Sequence, residues 1–359
     1  MANNCTPQIQ AKINDLYQLK PYQAQTGILD LALSPINSAQ LEAKMIKKNG
    51  KNSTYSITYP ADLCTAVLDC GDEACDAAVS TVSDTTVCDV LTSFDCAKTK
   101  RFNIAVSTFR DLGMLQVSDV IGHQVFQQMQ KLKEKVNLAV LLSVNSAVGV
   151  VPGADPNRVL KLMDANTRMP VFGTDVEIQS DFADNGWDVM PIVIGNRAVK
   201  QWQNAINKGS YNQHGLNVGA IESFNAFYDK NINATNTAPT NVGNDVMFAV
   251  LPQLINVLSY SENVDMFASA NSSIDWANLD PMRLVNTDNS TFLHTVLQDP
   301  QTGMLFDFDI TYDPTCKTFT WKLSVYYKTK ILDLIGCNDA TFNGLVKYDI
   351  CAYSNPSCL

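Results

Sequence analysis

Five of the chain's ten cysteines, Cys64, Cys70, Cys75, Cys88 and Cys96, fall in one short stretch, separated by five, four, twelve and seven residues. Structural zinc sites are built on C-x2–4-C knuckles, often completed by histidine. Only Cys70 and Cys75 come near that spacing, and no histidine is close by, so no metal site is assigned. Two readings stay open. The thiols are small buried hydrophobes, as free cysteine often is, or they form disulfides, which a reducing cytoplasm opposes and a particle that has left the cell permits.

Other chemistry finds little support. The three histidines, His123, His214 and His294, lie in no H-x-x-x-H or H-E-x-x-H arrangement. The sequence contains no G-x-S-x-G elbow and no Gly-rich phosphate-binding signature. Carboxylates are numerous but scattered, so nothing marks an acid–base pair. No catalytic, cofactor-binding or metal-binding residue is assigned, and the expectation is a protein that is not an enzyme.

Charge carries more information. Between Ala61 and Ala97 stand eight acidic residues and no basic one. Four of the eight, Asp69, Asp72, Glu73 and Asp76, crowd together. Lys44, Lys47, Lys48 and Lys51 precede the stretch, and Lys98, Lys100 and Arg101 follow it. An acidic tip on a basic ribbon repels its own kind and attracts the ribbon of another copy. A plain solvated acidic face is the competing reading. Over all 359 residues the net charge is −10, which disfavours a nucleic-acid groove.

Five segments must position these residues. Residues 1–40 are polar and weakly helical. They read as an extended arm whose Leu16, Leu19, Ile28, Leu29, Leu31 and Leu33 need a surface to cover. Residues 41–112 read as a β-ribbon: "STYSITY" alternates as a strand, its expected partner is Thr99–Phe109, and the Cys-rich acidic insertion 61–97 lies between. Residues 113–185 begin with a helix over 118–150, with Val125, Met129, Leu132 and Val136 at helical spacing. "DPNRVLKLMDANTR" adds a short helix. Residues 186–299 alternate: "VMPIVIG" is a buried strand before the helix "NRAVKQWQNAINKG", and "DVMFAVL" is another before a helix at "PQLINVLSY". Residues 300–359 hold a hairpin of "LFDFDITY" and "FTWKLSVYYK". Pairing Tyr312 with Lys317 sets Phe308 opposite Trp321 and Asp307 opposite Lys322. The amino terminus shows no basic-then-apolar leader pattern and no stretch is long enough to span a bilayer, so a soluble chain made in a cytoplasm is expected.

The order of arm, ribbon, very long helix, α/β unit and long hairpin resembles the major capsid proteins of tailed bacteriophages, the HK97-type fold. Stretches such as "VMPIVIGNRAVKQWQNAINKGSYNQHG" and "DVMFAVLPQLINVLSYSENVDMFA" are similar in character to A-domain segments of that family. The resemblance implies an α+β fold with an N-arm, an E-loop ribbon, a P-domain with its spine helix, and an A-domain. It further implies self-assembly into hexamers and pentamers of an icosahedral head enclosing double-stranded DNA. Separate scaffold, portal and auxiliary capsid proteins would be partners, with no membrane and no cofactor. The location implied is the virion, assembled in the host cytoplasm. An encapsulin-type shell around protein cargo and a soluble α/β enzyme are the alternatives.

Overall fold

A computed structural model of the protein describes residues 5–18, 26–33, 42–47, 54–60, 86–91, 94–105, 117–149, 159–162, 171, 173–187, 189–209, 226–232, 246–262, 291–313, 315–332, 334 and 342–351. The architecture is mixed α and β, with three sheets and one long helix.

That helix is α3 (Val117–Ser146), as α1 (Cys5–Gln18) and α2 (Gly27–Ala32) precede it. Its 30 residues give a rod about 45 Å long. Ile121, Val125, Met129, Leu132, Val136 and Val140 are buried at i, i+3 and i+4 spacing, and Leu132, at 5%, is the most exposed of them. Beside this row lies a second one, Phe126, Gln130, Lys133, Asn137 and Leu141, which is also buried although three of its members are polar. The helix is therefore covered over more than one face.

The amino-terminal residues supply part of that cover. Ile9, Ile13, Leu16 and Tyr17 form one stripe of α1 and pack on α3, with the Tyr17 ring edge-on to Phe126 at 5.1 Å between centroids. Over its described length this segment is not an extended arm. It is two helices docked on the chain's own spine, because Ile9, Ile13, Leu16 and Tyr17 on α1, and Ile28 and Leu31 on α2, repeat at the helical spacing of three and four. Gly27 marks the tightest approach: a Cβ there would sit 2.3 Å from the Tyr228 carbonyl oxygen.

A six-stranded sheet lies against α3. Its centre is β13 (Thr318–Ile331), 14 residues long. One edge of β13 pairs with β12 (Leu305–Asp313) and then β10 (Ile255–Tyr260); the other pairs with β5 (Phe102–Ala105) and β4 (Asp95–Lys98). Strand β11 (Thr291–Gln298) continues the sheet beyond β12. The hairpin predicted from the sequence is real, but its register differs by two residues. Tyr312 faces Phe319, Phe308 faces Leu323, Ile310 faces Trp321, and Lys322 faces Asp309 rather than Asp307. The turn decides this: the Asp313 carboxylate accepts from the Thr315 and Cys316 amides, and Lys317 takes a left-handed conformation, φ 52°. A shift of two keeps every side chain on its expected face while changing its partner.

The ribbon is a separate three-stranded sheet, β1 (Glu42–Lys47), β2 (Thr54–Pro60) and β3 (Thr86–Leu91), paired antiparallel in that order. Strand β2 therefore pairs with β1 and β3. Its expected partner near residue 102 instead joins β13 as β5. The last part of the acidic insertion is not a tip either: residues 86–91 complete the ribbon and β4 belongs to the main sheet.

The third sheet has five strands in the order β6 (Val159–Lys161), β14 (Leu345–Cys351), β9 (Val246–Val250), β7 (Ile192–Gly195) and β8 (Ala226–Tyr228). Strands β7 and β9 are buried throughout, as their continuous apolar runs predict. Helices α4 (Thr174–Ala183) and α5 (Arg197–Gly209) contribute Ile178, Phe182, Val199 and Trp202 to the core. Two predicted helices are strands. "VLK" in "DPNRVLKLMDANTR" is β6, parallel to β14. "INVLSY" is β10, because the long free edge of β13 satisfies its backbone over six residues and a turn at Gln253, φ 71°, precedes it.

Candidate functional site

The polar row on α3 opens the only fully buried ion pair among the described residues. Lys133 Nζ lies 3.0 Å from Asp299 Oδ2, and both side chains are completely shielded from solvent. Helical spacing aims Gln130, Lys133 and Asn137 the same way, between apolar Phe126 and Leu141. Each then meets a different part of the chain.

Lys133 meets the turn between β11 and β12. There Asp299 Oδ2 also accepts from the Thr302 amide (3.1 Å) and the Thr302 hydroxyl, so one carboxylate both shapes the turn and neutralises the helix cation. Gly303, with φ 72°, closes that turn. The ammonium also donates to Gln301 Oε1 at 3.3 Å and stands 5.5 Å from the centre of the Tyr17 ring. Gln130 donates to the Tyr17 hydroxyl at 2.6 Å. Burial raises the Tyr17 pKa far above the ordinary phenol value, with the Asp299 charge adding to the shift, so Tyr17 stays neutral. On the exposed side of the same junction, Gln10 and the Gln298 backbone exchange two hydrogen bonds, tying α1 to the end of β11.

Asn137 meets α2. That helix has no side-chain N-cap of its own. Its Leu29 amide donates to Asn137 Oδ1 at 3.0 Å and its Ile28 amide to Asp229 Oδ2 at 3.2 Å. Asn137 Nδ2 donates to the same Asp229 oxygen at 2.8 Å, and the Asn231 amide donates to Asp229 Oδ1 at 2.8 Å. Burial raises the Asp229 pKa, and its donors counteract that shift. Asp30, also on α2, accepts from the Thr26 hydroxyl at 3.0 Å. Burial pushes its pKa up to about 6, with Lys133 pulling the other way.

Chemically this seam stores charge rather than reacting. Lys133 is committed to Asp299 and Gln301 and has no exposed surface from which to meet a substrate. Sequence reasoning missed it because the lysine sits in "QKLKEKV", which reads as a solvated face. The legible signals were the shared helical row of Gln130, Lys133 and Asn137, and the turn pattern Asp299–Pro300 with Thr302–Gly303.

A smaller polar group lies on the six-stranded sheet. Buried Asp307 accepts from the Ser261 hydroxyl and, at 2.9 Å, from the Glu262 amide; Tyr326 donates to Glu262 Oε2 at 2.7 Å. Lys98 stands 5.6 Å from the Tyr326 ring centre.

Of the residues singled out in the sequence, Lys44 and Lys47 lie on β1, opposite Ser56 and Thr54 across a bulge. Cys88 lies on β3 opposite Thr58, and Cys96 on β4 opposite Tyr326, so these two belong to different sheets. The Cys96 thiol is free and exposed, and partial burial raises its pKa. Lys48, Lys51, Cys64, Asp69, Cys70, Asp72, Glu73, Cys75 and Asp76 lie outside the described residues. Among the described residues, no group of three or more His, Cys, Asp or Glu side chains is arranged to hold a metal ion, and no helix is long and apolar enough to cross a membrane.

No family model matches the chain, and no curated protein matches it. Among solved structures, the chain is similar to one titled Mycobacterium phage Adephagia, with 11% identity, 92% of each chain covered and a TM-score of 0.43. A phage-related protein from Bordetella bronchiseptica is 12% identical over 99% of this chain and 100% of that one, with a TM-score of 0.41. The capsid of Ralstonia phage GP4 is 9% identical over 88% of this chain and 87% of that one, also with a TM-score of 0.41.

Proposed function

We propose that this chain is a shell subunit, a phage-type major capsid protein that builds a closed head from many copies of itself. The observation that carries the reading is the arrangement of the long elements. A helix of about 45 Å packs against a 14-residue central strand, with a separate three-stranded ribbon before it in sequence and an α/β unit after it. We divide the chain into an amino-terminal arm (1–40), helical and docked over its described part, an E-loop ribbon (41–112) whose last strands join the main sheet, a P-domain with its spine (113–185), an A-domain (186–299) and a closing hairpin segment (300–359). Subunits of this kind associate through heterologous contacts that close into rings, giving hexamers and pentamers. The role is structural. Its partners are further copies, a separate scaffold, a portal and auxiliary proteins, and the product is a virion head enclosing DNA.

Electron microscopy of the purified chain, alone and with a co-expressed scaffold, tests this. Shells with rings of five and six subunits are expected. A monomer or small oligomer under both conditions overturns the reading, and shells isolated with protein cargo instead of DNA favour a nanocompartment.

Charge pattern supports a second part of the proposal. The acidic stretch bearing Asp69, Asp72, Glu73 and Asp76 acts as a clasp on the basic ribbon of a neighbour, around Lys44, Lys47, Lys48 and Lys51. Reversing the four acids to lysine is expected to lower particle melting and leave the unassembled subunit's melting unchanged. Equal particle melting removes the clasp.

A further inference from the structure

Strands β4 and β5 run along the same edge of β13, but not in one register. Lys98 faces Ser324 and Phe102 faces Trp321, so Thr99, Lys100 and Arg101 stand opposite only Lys322 and Leu323. This is a β-bulge with one extra residue. Thr99 holds it: its amide donates to the Leu323 carbonyl at 2.9 Å, and its hydroxyl accepts from the Leu323 amide at 3.0 Å in place of a ladder carbonyl. The extra residue changes the phase of the strand. Ala97 and Ile104 are both buried although they are an odd number of residues apart, and Phe102 stacks on Trp321 at 4.6 Å between centroids.

Lys98, Lys100 and Arg101 are left exposed, and none of them is in an ion pair among the described residues. Nearby carboxylates have other partners: Asp309 has Lys322, Asp307 has Ser261 and the Glu262 amide, and Glu262 has the Tyr326 hydroxyl. Exposed Asp95 stands at the start of β4. Connectivity sets this cationic excess against an acidic one. Residues 61–85 hold six carboxylates and no basic residue, and lie outside the described residues. They join β2 at Pro60 to β3 at Thr86, which pair with each other. Strand β3 then runs six residues, about 20 Å, to Leu91, and β4 begins at Asp95. The acidic stretch therefore leaves one end of the ribbon, and the other end leads into the bulge. Lys47 is at the bulge end too: it faces Thr54, beside Tyr55, which faces Leu91.

We propose that the cationic bulge Lys98–Arg101 is the docking site for the acidic 61–85 stretch of a second copy. The proposal rests on the shell reading and deepens the clasp, because it adds a site on the main sheet of the receiving copy to the ribbon lysines. A ribbon acidic at its tip and basic at its root makes heterologous contacts, tip onto root, that carry on around a ring of copies. An edge strand with a bulge and free cations also deters strand addition, so this edge accepts charge rather than another β-strand.

Two charge variants test it: a tip variant, Asp69→Lys with Asp72→Lys, Glu73→Lys and Asp76→Lys, and a bulge variant, Lys100→Glu with Arg101→Glu. Self-association of the purified chain, followed by sedimentation at low salt, is expected to weaken about tenfold in each variant alone and to return to within about threefold of wild type in an equimolar mixture, where each tip meets an opposite bulge on the other variant. Monomer melting of the bulge variant is expected to match wild type, because both side chains are exposed. Recovery when all six substitutions share one chain, without recovery in the mixture, means that tip and bulge meet within a copy and overturns the proposal. Bulge reversal that leaves association unchanged while tip reversal weakens it overturns the proposal and keeps the clasp. Bulge reversal that abolishes binding of a short duplex DNA but not association assigns the bulge to nucleic acid and also overturns it. If wild-type chains form neither shells nor smaller associations, the shell reading falls and the docking site with it.

Discussion

Two lysine–aspartate pairs in this protein have the same length and opposite surroundings. Lys133 and Asp299 meet at 3.0 Å with no solvent exposure; Lys322 and Asp309 meet at 3.0 Å on the six-stranded sheet with 30% and 24% of their side chains exposed. Geometry alone would rank them equal. Their energetics differ because water competes for the second pair and not for the first. At Lys322 the pair adds little beyond its cross-strand position. At Lys133 neither partner can lose the other without leaving a naked charge in the core, so the pair locks the spine helix to a distant turn whatever its net worth against an apolar replacement.

The largest expected effect is at the buried pair. Lys133→Met leaves Asp299 unpaired and is expected to cost about 3–5 kcal/mol. Urea denaturation checks this, with exposed Lys131→Met as a control expected within about 0.5 kcal/mol of wild type. Next comes Gly27→Ala. The added methyl collides with the Tyr228 backbone, which has no rotamer to yield, so a loss of about 1–3 kcal/mol is expected. It should fall mainly on protection of α2, read by hydrogen exchange. The smallest effect is Lys322→Met, expected below about 1 kcal/mol and smaller still in 1 M salt. If Lys322→Met costs as much as Lys133→Met, the distinction between the two pairs fails. If the two differ by several kcal/mol, it is sharpened.

The elements most legible in the sequence were those whose burial is one-sided or complete. The α3 row Val125, Met129, Leu132 and Val136, the runs in β7 and β9, and the alternation of β12 and β13 all carry their pattern within a few neighbouring residues. "INVLSY" was misread because a short apolar run fits a helix or a buried strand equally well; only the free edge of β13, far along the chain, settles it. The strand "STYSITY" was recognised, but its partners were not, because pairing depends on which edges the rest of the fold leaves open. The docking of residues 5–18 on α3 was foreshadowed by Leu16 and its neighbours needing cover, although their helical form was not.

The sequence by itself determined the apolar frame: the long helix, the central strands, and which face of the hairpin turns inward. Hydrophobic periodicity is a local property, and water enforces it wherever the segment folds. The tertiary structure alone decided what the polar residues do. Lys131, Lys133 and Lys135 are alike in the sequence; only Lys133 has Asp299 brought against it. Whether a charge is solvated, paired or forced to hold a proton depends on groups that arrive from elsewhere in the chain.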